Sequence, residues 1–264
     1  MKALDWLRAH SVPMVAALAL GFLFLPIVIV VLFSFNNPAG RYNFTWQGFT
    51  VHNWTHPCDV PGMCTAVGLS LKIGILSTII ATILGTLIAF AITRHEFRLR
   101  SSTNLLIFLP MATPEVVMGS SLLALFINLN VSLGFTTILI AHIMFNISFV
   151  VVTVKARLQG LDRRLEQAAM DLYANEWQTF RRVTLPLVFP GILAAALLAF
   201  SLSFDDFIIT NFNSGNTVTF PMFVWGAAQR GIPAQINVIG SLMFIAALVV
   251  TLAATFSGRR RAAR

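Results

Sequence analysis

The sequence predicts an all-α membrane protein with six transmembrane helices and both termini in the cytoplasm. Only 11% of the 264 residues are charged and 57% are hydrophobic, whereas roughly a quarter of the residues in soluble domains are charged. Apolar runs close to or above the ~20 residues that cross a bilayer as a helix occupy about 13–35, 66–93, 103–127, 135–154, 185–204 and 236–256. We therefore expect residues 1–264 to form a single multi-pass domain in the cell (cytoplasmic) membrane.

The first apolar run has the basic flank of a signal peptide, because Lys2 and Arg8 precede it. Its length far exceeds the ~7–15 residues of a signal-peptide core. We therefore expect this segment to stay uncleaved and to form the first span.

The basic residues predict the orientation of the spans. If the N-terminus lies inside, all but three of the 18 Lys and Arg residues fall in cytoplasmic segments, the exceptions being Arg41, Lys72 and Arg230. Cytoplasmic loops retain Lys and Arg, so both termini are predicted to be cytoplasmic. Contact with anionic lipid then explains the net charge of +8, and nucleic acid is not an expected partner.

Both cysteines lie in the first predicted outer loop, within the stretch CDVPGMC. That side of the membrane is oxidising, which favours a Cys58–Cys64 disulfide, with two free thiols as the alternative. His52 and His56 lie nearby but have no recognised spacing of metal ligands. We therefore expect no metal site.

Motifs for nucleotide binding and hydrolysis are missing from the sequence. None of the 16 glycines is followed by Lys, so the chain has no G-x4-G-K-[ST] loop to hold phosphates. The G-x-S-x-G and H-E-x-x-H patterns of hydrolases are also absent. We expect a chain that is not an enzyme and has no cofactor of its own.

The most polar block of the chain is LDRRLEQAAMDLYANEWQTFRRVTLP at 161–186. Within 155–172, apolar or small side chains recur every three or four residues, which predicts one amphipathic helix. These residues are Leu158, Leu161, Leu165, Ala168, Ala169 and Leu172. Pro186 can then open the fifth span in the first turn of a helix. On periodicity alone, a helix lying on the bilayer surface fits equally.

The spacing of this block resembles the EAA loop of ABC-importer permeases, E-A-A-x3-G-x9-I-x-L-P. The matching positions are Gln167, Ala168, Ala169, Tyr173, Val183, Leu185 and Pro186. The resemblance implies that residues 158–186 form a cytoplasmic coupling loop of two short helices that docks into a cleft on an ATPase subunit. Glu166, Leu172 and Trp177 belong to the same implied coupling surface. Adjacent alanines would let a partner approach closely, and large apolar neighbours would supply anchors.

Two positions depart from the family pattern. Gln167 stands where the family has Glu, and Glu166 lies one residue earlier, about 100° around a helix. We therefore do not expect Glu166 to make the salt bridge of the family Glu. Tyr173 stands where the family has Gly, and Tyr is strained at positive φ. Because Asn tolerates the left-handed region, we expect the left-handed residue of the turn to be Asn175.

Further segments extend the resemblance over about 65–255. The run SLKIGILSTIIATILGTLIAFAITRHEFR is similar to a core helix of such permeases. The segments PMATPEVVMGSSLLALF, FVVVTVKARLQGLDRR and SLSFDDFIITNF look like the second permease subunit of spermidine/putrescine importers. The resemblance implies a type I importer-permease fold and polyamine cargo. It also implies three partners, namely a homologous second permease, two copies of an ATPase that bind ATP and Mg, and an extracytoplasmic polyamine-binding protein.

Acidic residues in or beside the spans mark a candidate cargo route. Glu115 follows Pro110 and Pro114 in the third span, and a straight helix would place it about 18 Å deep. Such a carboxylate normally faces a cavity or a partner, and a protonated or hydroxyl-bonded structural carboxyl is the alternative. Asp205 and Asp206 end the fifth span, and at about 100° apart at most one is expected to face the route. The polyamine resemblance favours Asp205, and ordinary solvation at the outer interface is the alternative for both.

These carboxylates have few basic neighbours in the sequence, and an unbalanced negative path favours a cation. Aromatic faces can bind the ammonium groups of a polyamine, and the candidates are Phe204, Phe207, Phe212 and Trp225. Each could instead be a packing residue. The predicted function is therefore one permease half of a polyamine importer. The alternatives are an importer for another solute, such as an organic cation, a sugar or an anion, and a self-sufficient channel or carrier.

Overall fold

The computed structural model describes the backbone of residues 2–262 and the side chains of residues 11–252. Over this backbone the regular structure is helical, apart from one isolated antiparallel bridge between Asn36 and Phe49, which confirms the predicted all-α class. The helices are α1 (Lys2–Ser34), α2 (His52–Thr55), α3 (Met63–Arg94), α4 (Arg100–Ala112), α5 (Glu115–Asn128), α6 (Phe135–Gln159), α7 (Arg164–Asp171), α8 (Glu176–Thr179), a π-helical turn (Phe180–Thr184), α9 (Leu185–Asp205), α10 (Ile208–Asn213), α11 (Phe220–Arg230) and α12 (Ala234–Ala262).

The chain divides into two compact units, Met1–Cys64 with Val224–Arg264 and Thr65–Phe223. The basic side chains at both ends that support the predicted orientation, Lys2, Arg8, Arg259, Arg260, Arg261 and Arg264, lie outside the described side chains. The cytoplasmic position of the termini therefore stays a prediction.

The first unit pairs the terminal helices. α1 packs against α12, and the rings of Phe24 and Phe244 meet edge to face with centroids 6.5 Å apart. The segment after α1 folds back on itself because Asn36 Nδ2 donates to Asn43 Oδ1 at 2.6 Å and to the Thr45 carbonyl at 2.8 Å. These buried amide contacts give the loop a defined conformation.

A disulfide closes the end of this loop. Cys58 and Cys64, the pair predicted from the sequence, are bonded, with their Cα atoms 5.4 Å apart. The bond joins the loop to the first turn of α3. His52 lies 3.4 Å from Asp59, but the described residues contain no group of three or more His, Cys, Asp or Glu side chains that could hold a metal ion.

The second unit is built around α6, which packs against α4, α9 and α10. Its core consists of branched and small side chains, namely Ala89, Ile92, Val150, Val151, Val154, Leu158, Val188, Ala195 and Ala199. α3 comes very close to α6 at Gly85, where a Cβ would lie 2.7 Å from Cγ1 of Val150. Close packing of this kind leaves little tolerance for added volume.

Within the described residues, five helical segments are long and apolar enough to cross a membrane, and the count reaches six if the bent pair α4–α5 forms one span. The six predicted spans correspond to these segments. The fifth starts earlier than the predicted 185–204, because α8, the π-helical turn and α9 run together from Glu176 to Asp205.

The third span is not a straight helix. α4 ends at Ala112, Thr113 and Pro114 have extended backbone, and α5 leaves at 105° to α4 from Glu115. The straight helix assumed through Glu115 is therefore wrong, and its depth of about 18 Å stays a prediction. The break follows from Pro114, since proline disfavours the helical conformation of the residue before it and cannot donate a backbone hydrogen bond.

The single amphipathic helix predicted over 155–172 is also wrong. Residues 160–163 separate α6 from α7, so the apolar positions serve two different surfaces. Leu158 is buried in the core of the second unit, whereas Leu172 is 81% exposed. Part of the apolar stripe therefore stabilises the unit, and the rest is available to another molecule.

Candidate functional site

Three carboxylates lie at the ends of two helices that pack in the second unit. Glu115 is the first residue of α5, Asp205 is the last of α9, and Asp206 follows it. α5 packs against α10, so closely that a Cβ on Gly119 would lie 2.8 Å from the ring of Phe212. We call these three residues the carboxylate cluster.

The members of the cluster differ in exposure and in partners. The side chain of Asp206 is only 6% exposed. Its Oδ2 accepts hydrogen bonds from Thr210 N and Oγ1, both at 2.7 Å, and lies 3.3 Å from His142 Nε2. Glu115 and Asp205 are exposed. Asp206 is therefore held by the protein itself, whereas the other two carboxylates can meet a solute.

His142 belongs to this site and was missed in the sequence analysis. Its Nδ1 lies 2.6 Å from Ser203 Oγ, and its Nε2 lies 2.9 Å from Thr210 Oγ1. Ser203 Oγ is in turn 2.9 Å from Ser77 Oγ. This buried network links α3, α6, α9 and α10. The available signal was a lone ionisable side chain inside the apolar run 135–154, where such residues are rare and usually functional.

Phe204 directly precedes Asp205 in the sequence. Its ring stacks on Phe200 with centroids 5.9 Å apart and is tilted against Phe220 at 6.2 Å. These three rings form a row beside the end of α9. The row could contact the methylene groups or the charge of an organic cation.

The other aromatic candidates occupy different environments. Phe207 is half-buried and precedes the first residue of α10. Phe212 packs against Gly119, so its ring contributes to the contact between α5 and α10. Trp225 lies on α11 in the other unit and is 58% exposed.

The implied coupling loop, residues 158–186, contains two short helices joined by a tight turn, as expected. We call it the coupling segment. Its second helix, α8, begins with a reciprocal cap in which Asn175 Oδ1 accepts from Gln178 N at 2.8 Å and Gln178 Oε1 accepts from Asn175 N at 3.1 Å. Such a capping box fixes the start of a helix.

The left-handed residue of this turn is Tyr173, with φ of 64°. The expectation that it would be Asn175 is wrong, because Asn175 has the extended backbone of a helix cap, with φ of −75° and ψ of 169°. Tyr173 therefore adopts the left-handed conformation at the position where the family pattern has Gly. The left-handed conformation costs about 1–2 kcal/mol for a residue with a Cβ. The side chain of Tyr173 is 98% exposed, so it buries almost no surface that could offset this cost.

The carboxylate of Glu166 is hydrogen-bonded to other residues of the same chain. Its Oε1 accepts hydrogen bonds from Arg94 Nη2 at 2.5 Å and from Thr184 Oγ1 at 2.7 Å. The ion pair is partly shielded, since the side chains of Arg94 and Glu166 are 19% and 21% exposed. The next residue, Gln167, is exposed. Glu166 thus contacts the end of α3 and the π-helical turn, whereas Gln167 is open to another molecule.

A shallow apolar groove of about 470 Å³ runs along the coupling segment. Its lining consists of Leu165, Ala168, Ala169, Leu172, Arg182, Val183, Pro186 and Leu187. Other predicted coupling residues lie outside this lining. Tyr173 and Trp177 are exposed, Leu185 is half-buried, and Trp177 stacks on Phe180 with centroids 5.7 Å apart. The structure therefore gathers part of the predicted surface into one groove.

The long apolar helices define a multi-pass helical membrane protein. Residues 63–261 match the family model described as "Binding-protein-dependent transport system inner membrane component". The chain belongs to this family, and it is a multi-pass transport subunit of the cytoplasmic membrane.

Individual relatives cover nearly the whole chain. It is 34% identical over 239 residues to the spermidine/putrescine transport system permease protein PotC of Escherichia coli (strain K12), with 90% of each chain covered. It is 36% identical over 246 residues to the putrescine transport system permease protein PotI of the same strain, covering 89% of this chain and 87% of that protein.

A solved structure shares the fold. This is a bacterial alginate ABC transporter in complex with a periplasmic protein bound to an alginate pentasaccharide, similar with a TM-score of 0.68 at 15% identity. The match covers 98% of this chain and 96% of that chain. It confirms the importer-permease fold that the resemblance implies.

Proposed function

We propose that this chain forms one half of the route through which an ATP-driven importer takes up polyamines. Relatives that are about one-third identical carry spermidine/putrescine or putrescine transport in their names. The observation on this chain that carries the proposal is the exposure of two carboxylates at helix ends, Glu115 at the break in the third span and Asp205 at the end of α9.

The chemistry of this pair suits a linear cation with more than one ammonium group. Two exposed carboxylates attract positive charge along the route, while the row formed by Phe200, Phe204 and Phe220 offers apolar and cation-binding faces. The non-helical backbone at Thr113 and Pro114 supports an adjacent aqueous path, since irregular backbone at membrane depth is tolerated beside a cavity or within protein.

The coupling segment serves as the docking site for an ATPase subunit. The exposed apolar side chains of Leu172 and Trp177 support this role, because contiguous exposed apolar surface usually marks a site of interaction. Two copies of the ATPase bind ATP and Mg and supply the hydrolysis. Their closure moves the coupling segment and switches the spans between inward-open and outward-open arrangements.

Two further partners complete the importer. A homologous second permease supplies the other half of the route, and an extracytoplasmic binding protein delivers the polyamine. The solved alginate transporter of the same fold binds a periplasmic protein, which supports an arrangement of this type.

A second candidate is import of a different organic cation, because the exposed carboxylates and the aromatic row would also bind one. A self-sufficient channel or carrier is a third, and it predicts flux without an ATPase. Uptake of labelled spermidine, putrescine and unrelated cations by the complete importer in proteoliposomes separates the first two candidates, and the same assay on this chain without the ATPase tests the third.

Two charge-removing variants test the cargo route directly. Glu115→Gln and Asp205→Asn keep the side-chain shape and should each raise the KM for polyamine uptake about tenfold, the effect of losing one hydrogen bond to a charged group. Asp59→Asn is the control, because Asp59 is a half-exposed carboxylate in the first loop. An unchanged KM in both route variants would remove these carboxylates from the proposal.

A further inference from the structure

One carboxylate of the coupling segment is bonded to two other helical elements. Glu166 Oε1, on α7, accepts from Arg94, the last residue of α3, and from Thr184, the last residue of the π-helical turn. α3 is a 32-residue span, and the π-helical turn continues directly into α9. A movement of α7 would therefore displace the ends of two spans through the side chain of Glu166.

The surroundings of this carboxylate favour transmission of movement. Charge-assisted hydrogen bonds fix the distance between two atoms, whereas apolar contacts can slide. The apolar contacts nearby are aromatic ones, since Phe180 meets Phe90 edge to face and stacks on Trp177. Thr184 lies in a π-helical turn, a local widening that often occurs at functional sites in helices.

We infer that Glu166 is a positioning residue that transmits movement of the coupling segment to α3 and α9. The inference rests on the proposed docking of an ATPase on this segment. It gives Glu166 a role inside the permease, while the exposed position that corresponds to the family Glu, Gln167, stays available to the partner.

The test compares ATP hydrolysis and solute uptake in the same proteoliposomes that contain the complete importer. Glu166→Gln should keep the ATPase subunit bound and lower the solute transported per ATP about fivefold, the lower end of ordinary coupling between two sites. Glu96→Gln is the matched control, because Glu96 is an exposed acid just after α3 and lies outside the coupling segment. Its ratio should equal that of the wild type.

Two further variants separate the charge pair from general damage. The double variant Arg94→Glu/Glu166→Arg exchanges the two charges, so that opposite charges face each other again. It should regain most of the solute transported per ATP that Glu166→Gln loses. Thr184→Val removes only the hydroxyl and keeps the ion pair, so it should lower the ratio less than Glu166→Gln does.

The inference is overturned if Glu166→Gln transports with the wild-type ratio, or if this variant loses the ATPase subunit, because the carboxylate would then support docking alone. If Glu166→Gln cannot be purified, a wild-type ratio in Thr184→Val overturns it. Failure of the proposed function would be seen in the wild type, as missing polyamine uptake or missing ATPase. Failure of this inference would be seen in the variants alone.

Discussion

The α9–α10 junction and the coupling segment both contain a pair of adjacent polar residues with divided roles. At the junction Asp206 is buried and Asp205 is exposed. In the coupling segment Glu166 is bonded to two other elements and Gln167 is exposed. In each pair, one side chain maintains the local structure and its neighbour is open to another molecule.

The two regions differ in how strongly the surrounding protein fixes the bonded residue, which is Asp206 at the junction and Glu166 in the coupling segment. Asp206 is 6% exposed and accepts from the backbone and the hydroxyl of Thr210, next to His142. Glu166 is 21% exposed and its partners are side chains. Loss of a partner costs most when the remaining group is buried. We therefore expect a rigid junction beside the proposed cargo route and a more adjustable coupling segment.

The largest effect is expected from removal of the buried carboxylate. Asp206→Leu removes the acceptor of the buried Thr210 amide and hydroxyl, and each buried group left unsatisfied costs about 1–3 kcal/mol. Thermal unfolding in detergent should show a sharp fall in Tm. Asp205→Leu is the matched control at an exposed position, and it should change stability by no more than about 0.5 kcal/mol.

Equal losses of stability in these two variants would contradict the division of roles at the junction. Uptake by Asp206→Asn sharpens the comparison, since this change removes the charge but keeps an oxygen acceptor. If Asp206 binds cargo directly, the KM of Asp206→Asn should rise as much as that of Asp205→Asn with no loss of stability.

A smaller effect is expected in the coupling segment, on binding and not on folding. Leu172→Ser removes an 81% exposed apolar side chain, so the permease should keep its own stability. Burying a Leu contributes about 1.5–3 kcal/mol, and capture of the ATPase should therefore weaken at least about tenfold. Leu99→Ser, at a 68% exposed position before α4, is the control and should capture the ATPase normally. Equal capture by both variants would place the docking surface elsewhere.

The fold class could be predicted from composition and apolar runs, because a bilayer demands long apolar helices. The bend of the third span could not be predicted in full. Pro114 indicates a break in the helix, but the angle of 105° between α4 and α5 depends on packing against other helices. His142 was missed for a related reason. Its partners Ser203 and Thr210 lie 61 and 68 residues away in the sequence, so no local pattern reveals them.

The coupling segment shows the same limit at a smaller scale. The resemblance to the family loop implied two short helices and a turn, but the role of Glu166 depends on Arg94, which lies 72 residues earlier. The left-handed position was assigned from residue preference, which favours Asn over Tyr. The capping box of Asn175 with Gln178 overrides that preference, because a cap residue must have extended backbone.

The smallest predicted effect comes from the strained turn. Tyr173→Gly and Tyr173→Ala remove the same exposed side chain, but only Gly accepts φ of 64° without strain. Gly avoids the cost of the left-handed conformation but loses more conformational entropy when the turn forms. The turn should therefore be more stable in the Gly variant than in the Ala variant by up to about 1 kcal/mol. Exchange of the Ala174 amide, which donates to the Ala169 carbonyl at 3.1 Å, should then be slower by up to about fivefold in the Gly variant. Mass-spectrometric hydrogen exchange on the permease without its ATPase measures this difference. Faster exchange in the Gly variant would mean that Tyr173 stabilises the turn, and the coupling segment would then be more rigid than its exposed, strained residue implies.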